Sequence, residues 1–84
     1  MDQLFFTLYP NPANGNFTIV QNGNNEYGNV KVEVECMRGD KVLSSMMLGE
    51  KRHQLVTSAL PAGLYFVKVV ADDYTETINL IKTR

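Results

Sequence analysis

The residues in this chain that could do chemistry are few: Cys36, His53, three serines at 44, 45 and 58, and the acidic group Asp72, Asp73 and Glu76. A serine nucleophile needs a positioned base and a sharp turn of the Gly-x-Ser-x-Gly kind, and none of the three serines has that setting. Cys36 falls on the apolar side of an alternating run, where a buried thiol is inert. A structural zinc site needs four ligands, and one histidine with one cysteine cannot supply them. Asp72-Asp73 with Glu76 lacks the spaced acidic loop with its central glycine that holds calcium, so it reads as a solvated turn. Arg38-Gly39-Asp40 spells an adhesion tripeptide, and Asn16-Phe17-Thr18 fits the N-glycosylation pattern. Both are better explained as a hairpin turn and a strand start. No catalytic residue, cofactor site or metal site is expected.

What remains is a pattern of strands. Val30-Lys31-Val32-Glu33-Val34-Glu35-Cys36 alternates apolar and charged residues with period two, which gives a strand with one buried face. Val30, Val32, Val34 and Cys36 should point inward, and Arg38-Gly39-Asp40 should turn the chain into a partner strand over 41–48. Glycine at 39 permits the positive φ that such a turn uses. β-branched and aromatic runs place further strands at 5–9, 16–21, 54–57, 64–70 and 74–81. Turn formers separate them: Pro10-Asn11-Pro12-Ala13-Asn14-Gly15, a polar stretch over 22–29 that reads as a mobile loop, Gly49-Glu50-Lys51, Leu60-Pro61-Ala62-Gly63 and Ala71-Asp72-Asp73. About seven short strands at this spacing specify an all-β, immunoglobulin-like antiparallel sandwich, with a partly closed barrel as the alternative.

With 84 residues, 44% of them hydrophobic and 20% charged, the chain is one folded domain over 1–84. Met1 to Gln3 are read as disordered or as an appended start. A net charge of −1 leaves no basic excess for a phosphate backbone, which argues against nucleic acid as a partner. The longest apolar run, near 64–71, is broken by Lys68 and falls far short of the roughly 20 residues of a membrane span. Met1-Asp2-Gln3 before Leu4-Phe5-Phe6 does not read as a secretory leader, so an exported parent protein would make this chain a piece of it.

Three groups of residues, in order, resemble a known family. They are Tyr9-Pro10-Asn11-Pro12 with Gly15 and Phe17-Thr18-Ile19; Val32-x-Val34 leading to Gly39-x-x-Val42; and Leu60-Pro61-Ala62-Gly63-Leu64-Tyr65, followed by a β-run and Lys82. Together they are similar to the C-terminal sorting domain of the type IX secretion system of Bacteroidetes. The resemblance departs from the family pattern at Glu35-Cys36-Met37 and at Asp40. It implies a non-catalytic label, fused behind a cargo domain and read by the outer-membrane machinery, with a surface peptidase removing it. The cargo would then reach the cell surface or the medium through the periplasm. On that reading Pro61, Gly63, Tyr65 and Lys82 are candidate recognition residues, while Tyr9, Pro10, Asn11, Pro12, Gly15 and Gly39 serve the fold.

The residues alone also allow a carbohydrate- or protein-binding sandwich attached to a secreted enzyme, or a self-associating spacer. The first would need exposed aromatics, for which Tyr9, Tyr27 and Tyr74 are candidates. The second would need bare strand edges, and the charges at Lys51, Arg52 and Lys82 oppose it, so a monomer is expected.

Overall fold

The period-two alternation builds the whole molecule. A computed structural model describes residues 6–22, 29–49, 51–71 and 74–83, and these form seven strands. They are β1 (Phe6–Tyr9), β2 (Asn16–Gln21), β3 (Asn29–Cys36), β4 (Lys41–Leu48), β5 (Arg52–Val56), β6 (Gly63–Ala71) and β7 (Tyr74–Lys82). A three-stranded sheet in the order β1-β2-β5 faces a four-stranded sheet in the order β4-β3-β6-β7. Every ladder is antiparallel. The β1–β2, β3–β4 and β6–β7 connections stay within a sheet and the other three cross between sheets, the ordering of an immunoglobulin-like sandwich.

Inward-facing residues of both sheets make one core. Phe6, Phe17 and Ile19 from the first sheet are fully buried, as are Val30, Val32, Val34, Met47, Val67, Val69 and Leu80 from the second. Each such side chain contributes roughly 1.5–3 kcal/mol relative to exposure. A domain of this size needs nearly all of them, since it has neither a disulfide nor a second core to draw on.

Three details differ from the expectation. β5 begins at Arg52 and ends at Val56, and beyond it the Thr57 N–H still donates to the Gly15 carbonyl at 2.9 Å, in register with the β2–β5 ladder. Cys36 is half-buried rather than buried. It closes β3 at the margin of the core, beyond a register shift between Val34 and Glu35 where β4 departs from regular pairing. Hydrogen bonding to the backbone of Arg38 first and of Asp40 second lowers its thiol from the ordinary cysteine value. Finally, Glu33 alternates as an outward residue yet is buried. Its Oε2 lies 2.6 Å from the Lys41 Nζ and 3.3 Å from the Lys31 Nζ, and both side chains fold over it.

Met1 to Gln3, Phe5, most of the polar 22–29 stretch with Tyr27, and Asp72-Asp73 lie outside the described residues. Among the described residues no helix is long and apolar enough to cross a membrane.

Candidate functional site

The ladder registers bring the scattered motif residues to one end of the sandwich. Cys36 pairs with Tyr65, and Gly63 pairs with Lys82. The Gly39 turn, the 60–63 turn and the end of β7 therefore lie together on the four-stranded sheet. On the other sheet Tyr9 pairs with Thr18 and Asn16 with Val56, which puts the 10–15 loop and the end of β5 at that same end. A parallel bridge from Ala13 to Lys82 ties the two sheets there. The start of β1, through which any upstream segment must enter, is at the opposite end with Gln21, Asn29, Leu48 and Tyr74.

The 10–15 loop is a strap across the outer edge of β7. Pro10 and Pro12 carry no N–H, so they offer nothing to a ladder, and both of their peptide bonds are cis. Asn11 between them offers its side chain instead. Its Nδ2 donates to the Asn79 carbonyl at 2.7 Å, and its Oδ1 accepts the Ile81 N–H at 3.0 Å. The carboxamide thus pairs with β7 as one peptide unit of a neighbouring strand would. Two residues on, the backbone takes over: the Ala13 N–H donates to the Ile81 carbonyl at 2.8 Å, and the Ala13 carbonyl accepts the Thr83 N–H at 2.7 Å and the Thr83 hydroxyl at 3.1 Å. An edge strand otherwise presents such groups unpaired.

On the other flank, the Tyr65 ring is buried and its hydroxyl donates to the Pro61 carbonyl at 2.6 Å. A tyrosine near the start of this strand, bonded back to the chain a few residues upstream, is the tyrosine corner of immunoglobulin-like sandwiches. It fixes the turn that launches β6. Gly63 at φ +153° and Gly39 at φ +90° occupy backbone that side chains disfavour, which accounts for glycine at both. Gly15 has no such φ, and a Cβ there would meet open space, so its place in the motif has no conformational origin in this fold.

The candidate recognition residues divide by exposure. Pro61 and Gly63 are exposed, whereas Tyr65 and Lys82 are each 5% exposed. The Lys82 Nζ turns back to the Thr83 carbonyl at 2.6 Å, so its charge is not displayed as an edge charge would be. Of the motif residues expected to serve the fold, Tyr9 stands 45% exposed on the outer face of the three-stranded sheet. Tyr74 is half-buried and hydrogen-bonds the Glu76 carboxylate at 2.8 Å. His53 is half-buried and bonds Ser45 across the sheets at 2.7 Å, a structural tie between β4 and β5. Among the described residues, no three His, Cys, Asp or Glu side chains gather as metal ligands. The Arg38–Asp40 pair at 3.3 Å is exposed and worth about 0–1 kcal/mol, a turn contact.

Asn11, Ala13, Ile81 and Thr83 form a pairing that sequence reasoning missed. Their partners stand about 70 residues apart, and no local pattern announces a side-chain amide that will join a ladder.

Residues 7–83 match the family described as the secretion system C-terminal sorting domain. The chain is also 35% identical over 85 residues to karilysin of Tannerella forsythia, an alignment covering 92% of this chain and 18% of that protein. It therefore spans about a fifth of the length of the curated relative it matches. Domains of this family are C-terminal signals for type IX secretion, non-catalytic in general, that direct proteins to the cell surface or the medium. With the match running from the first described strand to the end of the last, this chain belongs to the C-terminal sorting domain family of type IX secretion.

Proposed function

We propose that the outer-membrane machinery reads this label at the motif-bearing end, with the cargo held at the other. The observation that carries the reading is the convergence of the three motif groups on one end, opposite the start of β1. The exposed parts of that end, Pro10, Pro12, Pro61, Gly63 and Ile81, offer contacts, while Tyr65 and Lys82 hold them in place from below. The domain itself contributes no catalysis, and any activity belongs to the cargo upstream. It works as a monomer, with a surface peptidase cutting ahead of β1.

The test is a fusion of residues 4–84 behind a reporter exported to the periplasm, in a strain that has the type IX system. Delivery of the reporter to the surface or medium supports the reading, and retention in the periplasm refutes it. Pro61→Glu and Leu48→Glu then separate the two ends, since both positions are exposed. Loss with the first and delivery with the second is expected, and the reverse would place recognition at the cargo end.

A further inference from the structure

The outer edge of β7 is completed by a side chain from the far end of the sequence. We propose that Asn11 is a positioning residue for export: its carboxamide stands in for a neighbouring strand and holds the end of β7 in its readable form. The inference rests on the type IX reading given above. It adds that the end of the label is correctly presented only after the segment following β1 has folded against it.

The geometry gives Asn11 this role rather than a contact role. One N–H and one oxygen lone pair of its amide are committed to β7, at the Asn79 carbonyl and the Ile81 N–H, and the two bonds together fix the carboxamide against the strand. The strap and the tyrosine corner flank the same stretch, 80–83, from opposite sides. The corner acts through β6, whose Gly63 pairs with Lys82, and the strap acts through Ala13, which bridges to Lys82. Removing Asn11 leaves the core untouched, because Asn11 is exposed and absent from the buried cluster. It releases one arm of the clamp on β7 and makes the Ala13 pairing hold alone. A cargo chain whose last domain had formed β6 and β7 without the strap would present a frayed signal. The positioning role thereby links export to folding of the segment nearest the cargo.

The experiment compares Asn11→Ala with Ile19→Val, a core change with a readout in global stability alone. Both are made in the 84-residue chain and in the reporter fusion. In Asn11→Ala, amide exchange at Ile81 and Thr83 should rise roughly three- to tenfold relative to Val67, the range that one ordinary hydrogen bond supports. Surface delivery should fall several-fold. Ile19→Val should lower the unfolding midpoint and speed exchange at Val67, so that exchange at Ile81 does not rise relative to Val67, and it should leave delivery unchanged.

Asn11→Asp is the second variant. It keeps an acceptor for the Ile81 N–H but cannot donate to the Asn79 carbonyl, and it should reproduce the export loss even if the alanine variant folds poorly. Unchanged exchange at Ile81, full delivery despite raised exchange, or equal export loss in Ile19→Val would each overturn the positioning role. A wild-type fusion held in the periplasm would instead overturn the export reading itself.

Discussion

Replacing Tyr65 with phenylalanine separates a structural hydroxyl from a recognition hydroxyl. The change removes one O–H···O=C bond of 2.6 Å to the Pro61 carbonyl and keeps the buried ring. Pro61 is exposed, so its freed carbonyl can turn to water and no buried acceptor is stranded. The cost is then the net worth of one hydrogen bond, about 1 kcal/mol. For a domain of this size that is a fall in Tm of roughly 4–8 °C. With a urea slope of about 1 kcal/mol/M, it is also a midpoint shift of about 1 M. Tyr65→Ala removes the ring as well and should cost about 3–5 kcal/mol, enough to unfold a large fraction of a marginally stable domain. Urea unfolding followed by circular dichroism measures both, and the reporter fusion measures export of the phenylalanine variant below its midpoint. Export should persist there. An unshifted midpoint would refute the corner as a stabilising bond, and lost export from a folded Tyr65→Phe protein would make the hydroxyl a contact with the machinery.

Two further outcomes follow from electrostatics and backbone geometry. Hydrogen bonding from Lys41, with a further contribution from Lys31, holds the Glu33 carboxyl below its ordinary value near 4.5. A depressed folded pKa gives stability that is present above the ordinary value and lost as pH falls through the folded one. Glu33→Gln should therefore flatten the acid side of a plot of urea midpoint against pH, and an unchanged acid limb would refute the ion pair's contribution. The Lys41 amine is raised in turn by Glu33, so its share is present below the ordinary lysine range and fades as pH climbs through the raised value. Gly39→Ala forces a Cβ into a φ of +90° and should cost about 1–2 kcal/mol although nothing obstructs the new atom. Gly15→Ala, with open space and no left-handed φ, should be neutral or stabilise by up to about 1 kcal/mol. Equal effects at the two glycines, by thermal melting, would contradict the backbone account.

The sandwich was legible because its information is local. Alternation in 30–36 marked the buried face of β3, and turn residues marked nearly every strand boundary to within two positions. The Tyr65 corner was legible in kind, since a ring with a polar tip beside a proline-glycine turn has few other uses. The charged residues were harder. Glu33 reads as solvent-facing, yet the Lys31 and Lys41 side chains cover it, and period two does not encode what lies over a face. Lys82 is buried because it follows Leu80 on the inward face of β7, a place where its charge argues against burial. Cys36 was misjudged for a related reason: alternation gives the face and not how far the core extends along the strand. The strap was invisible, because it depends on where the two sheets meet and which loop crosses a given edge. Once the register is known, the motif residues prove to be neighbours.

The two ends of the sandwich also set a distance. The domain's longest dimension is 34 Å, and its upstream connection and its motif residues lie at opposite ends of the strands. On the proposed reading, a cargo attached at one end hangs about a domain's length from whatever grips the other, as a load hangs from the eye of a hook. On that reading bulky or irregular cargoes need no surface compatible with the gripping apparatus, and the intervening β-sandwich serves as the shank that lets one label carry many loads.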